Sequence, residues 1–189
     1  MKVNIGKYPK KANAERKISI KIDPWDTWSV DHTLAYIIHP LLIQLQKTKH
    51  GSPLVDDEDV PEELRSTSAP PRENDWDTDD NHFKRWDWVL DEMIWAFAQI
   101  LDDEAGMQFH SGKHDMMWRK VNKDGDVLDE TLYNMGETPK VKNDEEIFWE
   151  MEIGPNDTHV FDKEGWEKWR DRKQNGFKLF GKYFEALWD

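Results

Sequence analysis

The chain has 189 residues, of which 37% are hydrophobic, and it carries a formal charge of −13 at pH 7. This length suits a single domain with a buried core, to which 11 Trp, 8 Phe and 4 Tyr contribute large apolar surfaces. No cysteine is present, which excludes disulfides and thiolate chemistry. The negative charge argues against binding to large nucleic acids, although residues 1–22 are basic and a small anionic ligand is compatible with a local basic pocket.

No segment of the sequence has the features of a membrane span or a secretory signal. The longest apolar run, Leu34 to Leu45, is interrupted by His39 and Pro40 and is shorter than the roughly 20 residues that cross a bilayer. The first residues lack the apolar segment of a signal peptide. We therefore expect no membrane contact and a cytoplasmic location.

The first part of the chain predicts a basic arm, a strand and a helix. Residues 1–17 lack hydrophobic periodicity and predict the arm, whereas residues 18–22 alternate apolar and polar side chains as in a short half-buried strand. Apolar residues at spacings of three and four predict a helix over residues 29–49, with Ser29 or Thr27 as its N-cap.

A long acidic, proline-rich loop follows over residues 51–80, and a second helix is predicted over residues 81–101. We expect the loop to be ordered and attached to the core through Leu54, Val55, Leu64 and Trp76. The core stripe of the helix is predicted to comprise Phe83, Trp86, Leu90, Ile94, Phe97 and Leu101. Trp88 and Trp95 widen this apolar face, which indicates a second contact surface such as an oligomer interface.

The last part of the chain is rich in strand and turn signals before a final helix. Residues 116–121 and 127–133 predict a hairpin, and residues 147–153 predict a further strand. The final helix is predicted to be capped by Asp162, and Gly176 is expected to weaken it locally. The whole pattern predicts an α+β fold of two to three long helices packed with a small antiparallel sheet, as one domain over residues 1–189.

Three clusters of aromatic and basic residues are candidate ligand-binding sites. Helix N-termini bind anions through free amides, and indole faces stack on nucleobases. The required residue types occur in three clusters. They lie at the start of the first helix, at the end of that helix and at the start of the second helix. In chain order they are Trp25, Trp28 and His32, then Lys47, Lys49 and His50, then His82, Arg85 and Trp86. The competing interpretation is that the tryptophans belong to the core and that the lysines serve the helix dipole.

A metal site is a weaker hypothesis, and no cofactor or metal is predicted. His110 and His114 stand four residues apart, and Asp115 follows, which resembles the adjacent His-Asp ligands of metal-dependent phosphohydrolases. Such a site needs further ligands, for which His82 and Asp129 are the candidates. Neither lies within a surrounding motif.

Several segments resemble a family of small proteins encoded by tailed bacteriophages. The segments are residues 25–35, 47–53, 55–61, 83–95 and 176–184, beginning Trp25-Asp26-Thr27-Trp28, Lys47-Thr48-Lys49-His50, Val55-Asp56-Asp57-Glu58, Phe83-Lys84-Arg85-Trp86 and Gly176-Phe177-Lys178-Leu179. The family is similar to phage sponge proteins that sequester cyclic-dinucleotide signals of the CBASS defence system as homo-oligomers. The resemblance implies a location in the host cytoplasm and assigns no ligand residue.

Three functional hypotheses result. The first is a non-enzymatic protein that sequesters a cyclic nucleotide signal as a homo-oligomer. The second is a phage virion or host-takeover protein that acts through protein–protein contacts. The third is the metal-dependent phosphohydrolase.

Overall fold

A computed structural model of the chain describes residues 1–11, 14–134 and 147–188. The fold is α+β, as predicted, and the described residues form three α-helices and small antiparallel sheets. The chain divides into two compact units, one comprising Met1–Asp103 and Lys168–Asp189 and the other comprising Glu104–Glu167. That the two units constitute one domain stays a prediction. Among the described residues, none of the helices has the length and apolar character needed to cross a membrane.

The first unit is built on two long helices whose positions were predicted to within two residues. Helix α1 is Val30–Thr48 and helix α2 is His82–Leu101. Trp86, Val89, Leu90 and Met93 of α2 are completely buried. The predicted core stripe is thus correct at Trp86, Leu90 and Phe97, but it missed Val89, Met93 and Ala96. Phe83 was predicted to lie in the stripe but is 53% exposed. The buried face of α2 is centred on Trp86, Val89, Leu90 and Met93, and Phe83 lies outside it.

Helix α3, Lys163–Lys182, contributes its residues from 168 onward to the first unit, where they pack against α2. Phe177 and Phe180 contact Phe97 edge-on, with ring centroids 5.3 and 5.0 Å away. Gly176 lies against α2, where a Cβ atom added to it would be 2.5 Å from the Cβ of Ala96. Because α1 and α3 both contact α2, they provide the second contact surface that the wide apolar face of α2 indicated.

An ion pair with a buried carboxylate accompanies this packing. Arg172 of α3 donates to both carboxylate oxygens of Glu92, whose side chain is only 8% exposed. The same guanidinium lies 4.0 Å from the centre of the Trp95 ring, so Trp95 is covered within its own unit. The pair with Glu92 raises the pKa of Arg172 and keeps it charged.

The loop over residues 51–80 is attached to the core, as expected, but by a partly different set of residues. Val55 and Val60 are buried in the main core cluster and Leu64 packs against it. Leu54 and Trp76 are each 83% exposed, so the prediction that they attach the loop is wrong. Glu62–Leu64 forms a short 3-10 helix preceded by Pro61.

The basic arm predicted over residues 1–17 contains a strand that was not predicted. Strand β1, Lys2–Ile5, pairs antiparallel with strand β2, Ile18–Lys21. The amide of Gly6 also donates to the carbonyl of Lys17 at 2.9 Å and extends the pairing. The signal for β1 was the alternation of Val3 and Ile5 with polar neighbours, which is short enough to be missed among the lysines.

The second unit contains the predicted hairpin. Strand β3 is His110–Ser111, β4 is Met116–Val121, β5 is Val127–Asn134, β6 is Phe148–Ile153 and β7 is Val160–Phe161. Strand β4 lies between β5 and β6, and β3 pairs with β7, all antiparallel. Gly125, with φ of 86°, supplies the left-handed residue of the turn between β4 and β5. Asp162 caps α3 as predicted, since its Oδ1 accepts from the amide of Gly165 at 2.9 Å.

Candidate functional site

The candidate site begins with a short helix that holds Trp25 and Trp28 in fixed positions. Pro24–Thr27 is a 3-10 helix in which Asp23 accepts from the amide of Trp25 at 3.1 Å, and Asp26 accepts from the amide of Asp23 at 2.7 Å. This is a reciprocal capping box. The amide of Trp28 donates to the carbonyl of Trp25 at 3.2 Å. The backbone of both tryptophans is therefore anchored although their side chains are not packed.

Both indole rings face solvent. Trp25 is 80% exposed and Trp28 is 86% exposed. Tryptophan is on average one of the most buried residue types in folded proteins, so two such rings within four residues are unusual. The alternative interpretation, that Trp25 and Trp28 are core residues, is therefore wrong.

The first turns of α1 complete an open cavity around these rings. The cavity has a volume of about 470 Å³ and is lined by Trp25, Asp26, Trp28, Ser29, His32, Thr33 and Tyr36. The Thr33 hydroxyl donates to the carbonyl of Asp26 at 3.2 Å and ties α1 to the short helix. Ser29, at the N-cap position, makes no side-chain capping hydrogen bond. The first amides of α1 therefore lack the side-chain cap that satisfies them in most helices.

The end of the β1–β2 hairpin is anchored to a residue of the cavity. The Met1 ammonium donates to Asp26 at 2.7 Å, and this contact lowers the pKa of Asp26. It also brings the end of the β1–β2 hairpin to the cavity, where Lys2 pairs with Lys21 across the strands. His32 contributes an imidazole whose Nε2 lies 3.6 Å from the Asp103 carboxylate. The site thus combines aromatic walls with amines, an imidazole and an uncapped helix start.

The three residues of the predicted cluster at the start of α2 are buried. Trp86 is completely buried and contacts Tyr183 edge-on at 5.8 Å. Arg85 is 4% exposed and donates to both carboxylate oxygens of Asp79, at 2.9 and 2.7 Å. His82 is 7% exposed. All three side chains face the protein interior, where the α2 stripe is buried. The structure therefore does not place them at a surface site, as the prediction required.

The cluster at the end of α1 lies far from the cavity. Helix α1 has 19 residues and is therefore roughly 28 Å long, which separates Lys47 from the cavity residues at the helix start. Lys49 pairs with Asp87 at 2.6 Å, and its side chain is 14% exposed. Lys47 and His50 are exposed. Of the nine predicted ligand residues, the structure brings only Trp25, Trp28 and His32 together in one cavity.

The candidate metal residues of the second unit form a histidine stack. His114 and His159 stack with ring centroids 3.7 Å apart, and Nδ1 of His110 lies 2.9 Å from Nε2 of His159. Asp115 accepts from the amide of Asn156 at 2.8 Å, which shapes the turn after β6. Within residues 1–11, 14–134 and 147–188, no three or more acidic or histidine side chains are arranged to hold a metal ion.

Tyr36 is a cavity residue outside the predicted ligand set, although the sequence contained a signal for it. Tyr36 is 65% exposed and lies four residues after His32, the spacing that places two side chains on one helix face. Their rings are 6.0 Å apart. Asp26 lies within the Trp25–Trp28 segment, but its contact with the Met1 ammonium has no sequence signal.

Comparison with protein-family models, with curated proteins and with solved structures finds no match to this chain. We therefore infer the function from the residues of the cavity.

Proposed function

We propose that this protein binds a nucleobase-containing anion, specifically a cyclic dinucleotide, in the cavity formed by the Trp25–Trp28 segment and the start of α1, without converting it. The observation that carries the proposal is the pair of solvent-facing indole rings on the walls of one open cavity. The bases of a cyclic dinucleotide are planar and its phosphates are anionic. The cavity has matching groups for both parts.

The aromatic walls favour the bases. Stacking of a base on an aromatic side chain contributes roughly 1–3 kcal/mol, and every base has a face that can stack. Trp25 and Trp28 are already held by backbone hydrogen bonds, so binding would order little additional backbone. Tyr36 offers a third ring on the same cavity.

The edge of the cavity favours the phosphates. The uncapped first turn of α1 presents amide donors and the positive end of the helix dipole. Lys2 and Lys21 add positive charge at the hairpin end that Met1 anchors. These local groups oppose the repulsion that the net charge of −13 exerts on an anion.

Thermal-shift and calorimetric titration with cyclic dinucleotides test the proposal. A ligand at a hundred times its dissociation constant stabilises the fold by about 2.7 kcal/mol. Trp25→Ala and Trp28→Ala should each weaken binding by roughly tenfold or more. Trp76→Ala is the matched control, because Trp76 is equally exposed but does not line the cavity, and it should leave the affinity unchanged.

The ligand is then recovered and analysed by chromatography. Intact cyclic dinucleotide supports sequestration, whereas a linear product would make the protein a phosphohydrolase. The absence of any thermal shift with all cyclic dinucleotides would refute the proposal. In the proposed role, the protein acts in the host cytoplasm as a homo-oligomeric phage sponge for an immune signal.

Contact with another protein is the second candidate function, and one observation favours it. Leu54 and Trp76 each expose 83% of their surface within the acidic 51–80 loop. Tryptophan is enriched in protein–protein interfaces, which makes Trp76 a candidate anchor for a partner. The test compares the binding of a purified virion or host protein to two variants. Binding that is lost in a Leu54→Ala/Trp76→Ala double variant and retained in Trp25→Ala would favour this function over nucleotide binding.

A further inference from the structure

The β1–β2 hairpin has one face composed entirely of exposed aliphatic side chains. The pairs Val3 with Ile20 and Ile5 with Ile18 place all four residues on the same face, because paired residues share a side of the sheet. Their exposed fractions lie between 36% and 62%. The other face carries Lys2, Asn4, Ser19 and Lys21.

Such a hairpin needs a partner for its apolar face. Two-stranded hairpins are marginally stable in water, and they normally gain stability by packing an apolar face on another element. Every residue of both strands is exposed, so no helix of the described residues buries the apolar face of the hairpin. Because the sheet has two strands, the outward edge of each strand also has backbone N–H and C=O groups without a strand partner among the described residues.

An apolar groove in the same unit has the character to receive this face. It lies between α1 and the end of the chain, has a volume of about 390 Å³, and is lined by Ile38, Leu41, Leu42, Leu45, Phe180, Phe184, Leu187 and Trp188. Leu41, Phe184 and Trp188 on its rim are about 60% exposed. The groove is therefore open to an apolar partner.

The charges of the hairpin and of the groove region are complementary. Residues 1–22 carry seven lysines and arginines against Glu15 alone, although the whole chain has a charge of −13. Beside the groove, Lys182 is surrounded by the carboxylates of Asp56, Glu58 and Asp59. A basic apolar segment and an acidic chain with an apolar groove complement each other when two copies meet.

We infer that the hairpin of one copy docks its Val3–Ile5–Ile18–Ile20 face into the α1 groove of a second copy, and that the exchange is reciprocal. A two-fold axis repeats the contact, so each copy both contributes a hairpin and receives one. The interface shares no residue with the cavity of the proposed nucleotide site. Oligomeric state therefore tests the interface, and ligand affinity tests the nucleotide site.

Sedimentation equilibrium and light scattering of the full chain test the interface. The wild-type protein should form a dimer of 22.5-kDa chains. Ile20→Glu should raise the dimer dissociation constant by about tenfold or more, because it places a charge in the apolar contact. Ser19→Glu is the matched control, since it adds the same charge at the neighbouring position on the opposite face, and it should leave the dimer intact.

Mixing two variants identifies the receiving surface. Leu41→Glu should also give a monomer, because it disrupts the groove. When Ile20→Glu and Leu41→Glu chains are mixed, the intact hairpin of the second can dock into the intact groove of the first. One of the two contacts is restored, so the mixture should associate more tightly than either variant alone. Circular dichroism and thermal melting confirm that each variant is folded.

Three outcomes would overturn the inference. The first is a wild-type protein that is monomeric at all concentrations. Binding of that monomer to vesicles of anionic phospholipid through its hairpin would identify a membrane as the partner instead. The second is equal weakening of the dimer by Ser19→Glu and Ile20→Glu. The third is failure of the mixed variants to associate while each remains folded.

Discussion

Replacing Gly176 by alanine should destabilise the protein, although alanine is the better helix former. The added Cβ would lie 2.5 Å from the Cβ of Ala96 and 2.7 Å from the carbonyl oxygen of Glu92. Carbon atoms in contact are normally about 3.5–4.0 Å apart, so α2 and α3 would have to separate by roughly 1 Å. Overpacking of this kind costs about 1–3 kcal/mol, and the helical preference of alanine offsets about 1 kcal/mol. We expect a net loss of up to about 2 kcal/mol.

Gly181→Ala in the same helix is the control, because nothing lies within 4 Å of a Cβ added there. Alanine should stabilise the protein at this position by about 0.5–1 kcal/mol. Chemical denaturation monitored by circular dichroism gives both free energies of unfolding. In a chain of this size each 1 kcal/mol changes the melting temperature by roughly 2–4 °C. A Gly176→Ala protein as stable as Gly181→Ala would refute the close contact between α2 and α3.

Three further predictions concern titratable groups. Hydrogen bonding to Arg85 lowers the pKa of Asp79 from 3.8, so its contribution to stability is present above pH 3.8 and is lost as the pH falls through the lowered value. Asp79→Asn should therefore cost about 2–4 kcal/mol at pH 7, and denaturation at decreasing pH should show the difference from wild type shrinking in acid. Burial raises the pKa of Tyr183 to about 12 from 10.0, which favours the neutral phenol in the folded state. Its contribution is present below pH 10 and is lost as the pH rises toward 12, so the free energy of unfolding should decline less steeply over this range in Tyr183→Phe than in wild type. Arg172→Leu leaves the buried Glu92 carboxylate unpaired and should lower the free energy of unfolding by about 1–3 kcal/mol. An Arg172→Leu/Glu92→Leu double variant should regain more than half of that loss, as measured by calorimetry. No recovery in the double variant would contradict the pairing.

The helices were predictable because their apolar periodicity extends over many turns. Helix α2 begins and ends within one residue of the predicted bounds, and the final helix begins directly after its predicted cap, Asp162. The rotation of α2 about its axis was less predictable, since Trp88, Val89 and Leu90 are all apolar neighbours. Burial of Val89 depends on where α1 and α3 contact the helix, which is tertiary information.

The candidate site was predictable only in part for a similar reason. Trp25, Trp28 and His32 are near in sequence, so local geometry alone could bring them together. Arg85 and Trp86 had the same residue types, but they lie on the buried side of their helix. Nothing in the local sequence distinguishes an exposed tryptophan from a buried one, because the difference depends on whether another segment covers it.

The unequal exposure of the tryptophans has an optical consequence. Trp25, Trp28 and Trp76 are each at least 80% exposed, whereas Trp86 is completely buried. A water-soluble collisional quencher of indole fluorescence reaches exposed rings more readily than buried ones. Trp188 is 60% exposed, so in a Trp76→Phe/Trp188→Phe protein the two rings of the cavity would be the most readily quenched. The cavity therefore contains its own fluorescent label, and its occupancy can be followed without attaching a dye.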